Sequence, residues 1–343
     1  MPKIVAVDTD FEDNNLEEAM ARDAGIEFEV THGRTAQAVI DGLLETGADA
    51  AVTSYAMFPR EVFEACPNLK AVSRTGVGYD EIDVGAATEH GVAVCNVPGY
   101  GTEVVSDHAI TLALSVLRRI NELDADMRRG VWDYARTRPL GQCRGRVFGV
   151  VGMGEIGRAV AKKAAGLGFE VVCWSRSLKP GRRTPEGYPV LRLEELLQTA
   201  DVVSLHTALT PETHHLINAE RLALMKPDAV LVNTARGAVV DTVALAQALC
   251  EDKLWGAGVE EFAWGPDNSL TRGWLEVFFG GWRGGVPTGG AAKSGGEPVG
   301  RLWRVDRGKF TRSGPCNLAP GGGIWLLTRN WLAGTNVDEV AGS

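Results

Sequence analysis

The sequence has no apolar run long enough to cross a membrane and no cysteine pair with metal-ligand spacing. Among its 343 residues, no stretch of about 18 uncharged apolar residues occurs, so we expect no membrane-spanning helix. Its six cysteines are scattered, and no His, Cys or Asp cluster has ligand spacing, so we predict a reduced protein without a metal site. The first residues lack a basic segment followed by a long apolar run, so no secretory signal is expected. These absences predict a cytoplasmic protein.

Positive charge is also scarce. Lys and Arg number 35 against 44 Asp and Glu, and the formal net charge is −9. A negative surplus repels a phosphate backbone, so it argues against a general nucleic-acid binder. An anionic small molecule would need a local cationic site. Otherwise the composition is globular, with 45% hydrophobic and 23% charged residues, and the length is typical of about two domains.

The residues from Gly273 onward have few charges and many glycines. This segment contains 17 of the 42 glycines and five of the nine tryptophans, but only 5 acidic and 8 basic residues. The stretch 280–300 has neither a 3.6-residue nor a 2.0-residue apolar period. We therefore interpret 273–343 as an aberrant Gly/Trp-rich tail. We hypothesise that it is the product of a shifted reading frame or a degraded gene, beginning between about Gly265 and Gly273.

Before the tail, short apolar runs alternate with helical stretches. Such alternation predicts parallel strands joined by crossover helices. We predict an α/β protein with two doubly wound parallel-sheet lobes, divided at a hinge near Pro98–Thr102. Apolar residues at helical spacing predict one long bridging helix over 103–129.

A glycine-rich turn opens the second lobe. The apolar run Val147–Val151 leads into G-x-G-x-x-G, whose residues are Gly152, Met153, Gly154, Glu155, Ile156 and Gly157. Gly152 permits the tight turn, Gly154 lets the backbone approach a pyrophosphate, and Gly157 allows the helix to pack closely on the strand. The helix N-terminus offers free N–H groups to phosphates. Because strand, turn and helix are all in place, we predict dinucleotide binding rather than a turn without a ligand.

The end of the next strand bears on which dinucleotide binds. Glu170–Trp174 ends without the carboxylate that would accept the ribose hydroxyls of NAD, and Ser175, Arg176 and Ser177 follow. A guanidinium and two hydroxyls suit the 2′-phosphate of NADP better than bare ribose hydroxyls. We predict NAD or NADP as cofactor, with a preference for NADP. The alternative is that Arg176 stacks on the adenine, which either nucleotide allows.

An arginine follows a strand in the segment Asn233-Thr234-Ala235-Arg236-Gly237. Ligands in doubly wound sheets bind beyond the carboxyl ends of strands. Arg236 could bind a carboxylate there through two parallel N–H bonds and polarise a neighbouring carbonyl. A surface salt bridge is the alternative role. The small residues before Arg236 and the glycine after it favour a site.

Several motifs in order resemble the D-2-hydroxyacid dehydrogenase family. They are RTGVGYDEIDVGAATEHGVAVCNVPGYGTEVVSDHA, GMGEIG, LHTALTPETHHLIN and NTARGAVVD, and the resemblance runs from about Lys3 to Val259. The DTDF opening and the VPGYGTEVVSDHA segment are most similar to the branch of C-terminal-binding-protein-like and phosphoglycerate dehydrogenase-like members. The resemblance implies a flavodoxin-like substrate lobe over 1–100 and a Rossmann NAD(P)-binding lobe over 101–272. It also implies a homodimeric oxidoreductase that transfers hydride between NAD(P)H and a small 2-oxo or 2-hydroxy acid.

The resemblance also implies roles for single residues. Gly76, Val77 and Gly78 would offer backbone N–H groups to the substrate carboxylate, and Arg236 would bind the carboxylate and polarise the carbonyl as a catalytic residue. Glu260 stands at the aspartate position expected to hold the nicotinamide amide. Further residues implied to lie along the cofactor are Thr102, Val104, Thr207, Ala208, Thr213, Thr234, Ala235 and Arg236. They join Ser175, Arg176 and the six residues of the glycine-rich turn, which the sequence pattern already indicates.

The proton donor that the resemblance implies has no counterpart in the sequence. Gly265 occupies the position of the expected glutamate, no T-P-H motif follows it, and no histidine follows His215. Histidine is the natural general acid near neutral pH, and we predict that His108 and His206 do not replace it. Three functions remain open: a dehydrogenase, a nucleotide-binding sensor or scaffold with little turnover, and an unstable product of a degraded gene.

Overall fold

The computed structural model describes residues 1–9, 14–133, 135 and 140–260, and the backbone of four later strands. It divides into two compact units, Met1–Gly101 and Thr102–Ser343.

The first unit is a five-stranded parallel sheet with interleaved helices. Its elements are β1 (Lys3–Ala6), α1 (Asn15–Asp23), β2 (Glu27–Val30), α2 (Ala36–Thr46), β3 (Ala50–Thr53), α3 (Arg60–Ala65), β4 (Ala71–Arg74), α4 (Val84–Glu89) and β5 (Ala93–Cys95). The strand order β2-β1-β3-β4-β5 is that of flavodoxin-like folds, as predicted. The winding reverses between β1 and β3, so the loops that follow these strands border the usual ligand crevice.

Local sequence signals explain three of the helix ends in this unit. The Thr35 side chain accepts a hydrogen bond from the Ala38 N–H at the start of α2, and Asp83 does the same for Ala86 at α4. Gly47 ends α2 with φ +63, a conformation that glycine adopts without strain. The sequence reading missed β2, which lies at the sheet edge and whose burial alternates along only four residues.

The second unit repeats this plan. Its described helices and strands up to residue 260 are α5 (Thr102–Leu117), α6 (Ile120–Arg128), β6 (Val147–Val151), α7 (Glu155–Gly166), β7 (Glu170–Trp174), α8 (Leu193–Thr199), β8 (Val202–Leu205), α9 (Ala219–Leu224), β9 (Val230–Asn233), α10 (Thr242–Cys250) and β10 (Gly256–Val259). All five strands are parallel, in the order β10-β9-β8-β6-β7. The winding reverses between β6 and β8, so the turns that follow these two strands face the crevice. The predicted pair of doubly wound sheets is confirmed.

Alternate side chains of β6 pack into different apolar layers. Phe148 and Val150 lie in one buried cluster with residues of α5 and α7. Val151 lies in another cluster with residues of α8 and α10. Both faces of the sheet are therefore covered, which explains why these strands are apolar without interruption.

The single helix predicted over 103–129 is wrong, because the structure has two helices, α5 and α6, that are separated at Arg119. Arg119 has φ +51, which a helix cannot accommodate. Its side chain is only 3% exposed, its guanidinium carbon lies 4.1 Å from the centroid of the Trp255 ring, and Nη1 donates to Glu122 at 2.9 Å. These contacts hold Arg119 in the left-handed conformation. The local sequence by itself favours an unbroken helix, because it consists of good helix formers.

The described part of the tail consists of two antiparallel strand pairs. The strands are β11 (Trp274–Phe279), β12 (Trp303–Asp306), β13 (Lys309–Arg312) and β14 (Trp325–Asn330), where β11 pairs with β14 and β12 with β13. The proposed start of the tail, between about Gly265 and Gly273, and the stretch 280–300 lie outside the described residues.

Candidate functional site

The turn after β6 excludes any side chain at two of its three glycines. Gly152 has φ +103, and a Cβ there would lie 2.5 Å from the His206 carbonyl oxygen. A Cβ on Gly157 would overlap the Gly152 carbonyl oxygen, because α7 begins in contact with the turn. Gly154 has extended backbone, and a Cβ there would meet no atom within 4 Å. The space beside Gly154 is therefore open, as the approach of a pyrophosphate to the backbone requires.

The first turn of α7 faces that open space without a side-chain cap. The residue that precedes this 12-residue helix is Gly154, which has no side chain to cap it. The first N–H groups of the helix are therefore left for another acceptor. Met153 is buried and Ile156 packs against the α5–α7 layer, so these two residues can contribute only backbone to a ligand. Thr102 Oγ1 donates to Glu155 Oε2 at 3.5 Å, which places the start of α5 beside the start of α7.

Two buried hydroxyls, one after β8 and one after β9, have no hydrogen-bond partner in the described part of the chain. They are Oγ1 of Thr207, which follows β8, and Oγ1 of Thr234, which follows β9; Nδ1 of His206 is in the same state. A buried polar group without a hydrogen bond costs about 1–3 kcal/mol. The arrangement therefore fits a polar ligand that lies across these strand ends, and a nicotinamide dinucleotide has the hydroxyl, amide and phosphate groups to complete such bonds.

Thr213 shapes the turn that follows Thr207. Its side chain is buried, Oγ1 donates to the Ala208 carbonyl at 2.6 Å, and the same oxygen accepts from the Thr210 N–H at 2.8 Å. The Thr213 hydroxyl is therefore engaged within the protein, and its effect on any ligand acts through the position of the turn. Ala208 is exposed.

The residues after β7 include an ion pair that the sequence reading missed. Nη1 of Arg176 lies 3.4 Å from Oε2 of Glu212, and the same oxygen accepts from Thr210 Oγ1 at 2.7 Å. The Thr210 hydroxyl, the N–H of Glu212 itself and the Arg176 charge hold the pKa of the Glu212 carboxyl below its usual value. The hydroxyls of Ser175 and Ser177 are 3.2 Å apart. Glu212 lies 36 residues beyond Arg176, so no spacing rule would have connected them.

Asn233 positions Arg236 at the end of β9. Its side chain is 1% exposed, Nδ2 donates to the Arg236 carbonyl at 2.9 Å, and Oδ1 accepts from the Ala235 N–H at 3.1 Å. The half-buried Arg236 directs Nη1 to the Ala235 carbonyl at 2.8 Å. The N–H of Glu260, just after β10, donates to the Asn233 carbonyl at 3.0 Å. Asn233 was not singled out from the sequence, although a buried amide at the end of an apolar strand was a usable signal.

In the first unit, the loop after β4 presents three consecutive N–H groups. Within the described residues, the N–H groups of Gly76, Val77 and Gly78 have no hydrogen-bond partner. Asn96 Nδ2 donates to the Val77 carbonyl at 2.8 Å and so holds the loop. A side chain at Gly76 would overlap the Arg74 guanidinium, which lies over this loop. Adjacent N–H groups next to a cation suit a carboxylate.

The crevice of the first unit carries a second guanidinium. The buried Asp8 accepts hydrogen bonds from the N–H groups of Ser54 and Tyr55, and its Oδ2 lies 3.6 Å from Nε of Arg34. The guanidinium carbons of Arg34 and Arg74 lie 5.3 and 5.6 Å from the centroid of the Tyr55 ring. Two guanidiniums over one ring, with a single carboxylate beside Arg34, leave a positive surplus that favours a small anionic ligand.

His206 and His108, the two histidines weighed above as replacements for the missing acid, are neutral near pH 7. Burial of its ring lowers the pKa of His206 to about 3, and its Nε2 lies 2.9 Å from Ser204 Oγ. Burial also lowers the pKa of His108. Because a general acid must hold a proton at the working pH, neither side chain is suited to that role. The expected glutamate and histidine positions after Glu260 lie outside the described residues.

The neutral state of His206 predicts a loss of stability in acid. Its pKa is lower in the folded protein, at about 3, than the ordinary value of 6.5, so the unfolded state binds the proton more tightly. The stabilisation is complete above pH 6.5 and is lost as the pH falls from 6.5 towards 3. We expect His206 to lower the free energy of unfolding by about 2 kcal/mol between pH 7.5 and pH 5. The free energy of unfolding, measured with urea at several pH values, should depend less on pH in His206→Gln than in the unchanged protein. The control His32→Gln, at an exposed position, should keep the full pH dependence. An equal pH dependence in both variants would contradict the low pKa of His206.

The comparisons with known proteins agree with this geometry. Residues 110–269 match the family model described as D-isomer specific 2-hydroxyacid dehydrogenase, NAD binding domain. A structure of D-lactate dehydrogenase from Aquifex aeolicus superposes with a TM-score of 0.69 and 30% identity, over 76% of this chain and 77% of that chain. The chain belongs to the D-isomer specific 2-hydroxyacid dehydrogenase family. The predicted family is thus confirmed.

Other members of the 2-hydroxyacid dehydrogenase family are also similar. The glyoxylate reductase of Thermococcus litoralis is 44% identical over 209 residues, which cover 59% of this chain and 63% of that protein. The chain therefore aligns with less than two thirds of this relative. The structure of an acyclic imino acid reductase, in complex with NADPH and D-Arg, has a TM-score of 0.70 and 28% identity, covering 77% of this chain and 84% of that chain.

Two kinds of feature are absent from the part of the chain that the structure describes. No helix there has the length and apolar character needed to span a bilayer. No group of three or more His, Cys, Asp or Glu side chains there could hold a metal ion.

Proposed function

We propose that this family member binds NADH or NADPH and transfers hydride between the nucleotide and a small 2-oxo or 2-hydroxy acid. The observation that carries the proposal is the glycine turn, with open space beside Gly154 and no room for side chains at Gly152 and Gly157. The similarity to glyoxylate reductase and to D-lactate dehydrogenase, whose structure contains NAD and lactic acid, supports the substrate class.

We assign nucleotide binding to 101–272 and substrate binding to 1–100 with Arg236. The N–H groups at the start of α7 would hold the pyrophosphate. The residues that would lie along the rest of the nucleotide are Thr102, Val104, Ser175, Arg176, Thr207, Ala208, Thr213, Thr234, Ala235 and Glu260. When bound, the nicotinamide supplies or accepts the hydride.

Arg236 would act on the substrate itself. Its guanidinium can bind a carboxylate through two N–H bonds and polarise the adjacent carbonyl, and Asn233 holds the backbone from which it projects. In the first unit, the N–H groups of Gly76, Val77 and Gly78 would bind a carboxylate. Holding and polarising the carbonyl accounts for much of the rate of a hydride transfer.

A second candidate function is nucleotide binding with little turnover, as in a sensor or scaffold. Two observations favour it: no histidine follows His215, and both His108 and His206 are neutral near pH 7. A histidine of ordinary pKa would otherwise deliver the proton to the carbonyl oxygen. Homodimer formation and a cytoplasmic location remain predictions, and light scattering on the purified chain tests the first.

The experiment that tests the proposal begins with a titration of the full chain with NADH and NADPH. The oxidation of each reduced nucleotide by glyoxylate and by hydroxypyruvate is then measured in single-turnover and steady-state assays. We expect both nucleotides to bind. We also expect their oxidation to be slow and to require the 2-oxo acid. Binding without oxidation would support the sensor or scaffold. Absence of binding, together with a melt that is not cooperative, would support an unstable gene product.

A further inference from the structure

We propose that Glu212 lowers the affinity of the nucleotide site for NADPH relative to NADH, because it neutralises Arg176. This inference rests on the proposed nucleotide binding and adds a specificity-determining residue to it. The Glu212 side chain projects from the connection between β8 and α9, and Arg176 follows β7.

The geometry places one carboxylate and one guanidinium at the same point of the second unit. Oε2 of Glu212 lies 3.4 Å from Nη1 of Arg176, and the Thr210 hydroxyl donates to that same oxygen at 2.7 Å. Thr210 itself belongs to the turn that the buried Thr213 hydroxyl closes. The carboxylate is therefore held in place by the fold, independently of Arg176.

The charges oppose a 2′-phosphate. A phosphate monoester carries about two negative charges at neutral pH and binds a guanidinium through paired N–H bonds. Glu212 competes for the guanidinium of Arg176 and also repels the phosphate. The 2′-hydroxyl of NADH is uncharged and suffers neither effect. Arg176 alone would favour NADPH, and the pair reduces that preference.

The size of the effect follows from the exposure of the pair. The two side chains are 56% and 67% exposed, so water and salt screen the interaction. We expect removal of the Glu212 charge to change the ratio of the two affinities by about three- to tenfold.

The test compares Glu212→Gln with the unchanged full-length chain. The dissociation constants of NADPH and NADH are measured by fluorescence titration at low and at high salt. We expect Glu212→Gln to bind NADPH about three- to tenfold more tightly relative to NADH, with a smaller effect at high salt. The matched control is Glu194→Gln, since Glu194 is also an exposed carboxylate paired with an arginine, Arg221, at 3.1 Å. It should leave the ratio unchanged.

A second variant separates neutralisation from a general charge effect. In an Arg176→Gln background, NADPH affinity should fall relative to NADH, and the further change Glu212→Gln should have a smaller effect than in the presence of Arg176. If both nucleotides bind and Glu212→Gln leaves the ratio unchanged, or if Glu194→Gln changes it equally, this inference is wrong while the proposed function stands. If neither nucleotide binds any of these proteins, the proposed function fails and this inference fails with it.

Discussion

Replacement of Gly157 by alanine is expected to weaken nucleotide binding by at least about 100-fold and to destabilise the second unit by about 3 kcal/mol. The added Cβ would overlap the Gly152 carbonyl oxygen, which is backbone and cannot rotate away. Either α7 or the turn must move, so the N–H groups at the helix start lose their arrangement. The measurements are fluorescence titration with NADH and urea unfolding.

Two other glycines of the same segment are matched controls. Gly166 ends α7, and a Cβ there meets nothing within 4 Å, so Gly166→Ala should keep nucleotide affinity and raise stability by up to about 1 kcal/mol. Gly154→Ala should retain stability but lose affinity, because its Cβ would enter the open space proposed for the pyrophosphate. Normal NADH affinity in Gly154→Ala and Gly157→Ala would refute the assignment of this turn.

Replacement of Arg236 by glutamine is expected to weaken the binding of oxamate, an unreactive analogue of a 2-oxo acid, by about 100-fold or more in the presence of NADH. The variant would remove the two charge-assisted N–H bonds that we propose for the carboxylate. Because Arg236 is assigned to the acid and not to the pyrophosphate, NADH affinity should change by less than about threefold. Titration of oxamate into the NADH-saturated protein measures the effect without any proton transfer.

Two further variants make this result specific. Arg236→Lys keeps the charge but cannot form the paired N–H bonds, so it should recover only a small part of the lost affinity. Arg221→Gln removes another arginine of the second unit, one that pairs with Glu194, and should bind oxamate normally. Unchanged oxamate binding in Arg236→Gln would contradict the substrate role of Arg236.

The parts of the fold that could be predicted are those with a local physical cause. β6 and β9 are buried on both faces and therefore appear in the sequence as continuous apolar runs. The turn at Gly152 demands a positive φ, which glycine alone adopts cheaply. The edge strand β2 escaped prediction because its four residues, Glu27–Val30, are half-exposed and carry little apolar signal.

The parts that could not be predicted depend on partners distant in the chain. The break between α5 and α6 follows from the contact of Arg119 with Trp255, the residue just before β10. The pairing of Arg176 with Glu212 joins two different crossover connections of the sheet. Likewise, the low pKa of His206 follows from burial of its ring in the folded protein.

From the amino-acid order alone, two doubly wound sheets, a dinucleotide turn ending at Gly157, the family and an arginine after β9 could be derived, because each depends on residues adjacent in the chain. Only the tertiary structure decided that Asn233 hydrogen-bonds the backbone around Arg236, that the Glu212 carboxylate pairs with the Arg176 guanidinium, and that His206 is neutral. Hydrogen bonds, ion pairs and burial of this kind arise when separate strands and loops come together, and that proximity is absent from the linear sequence.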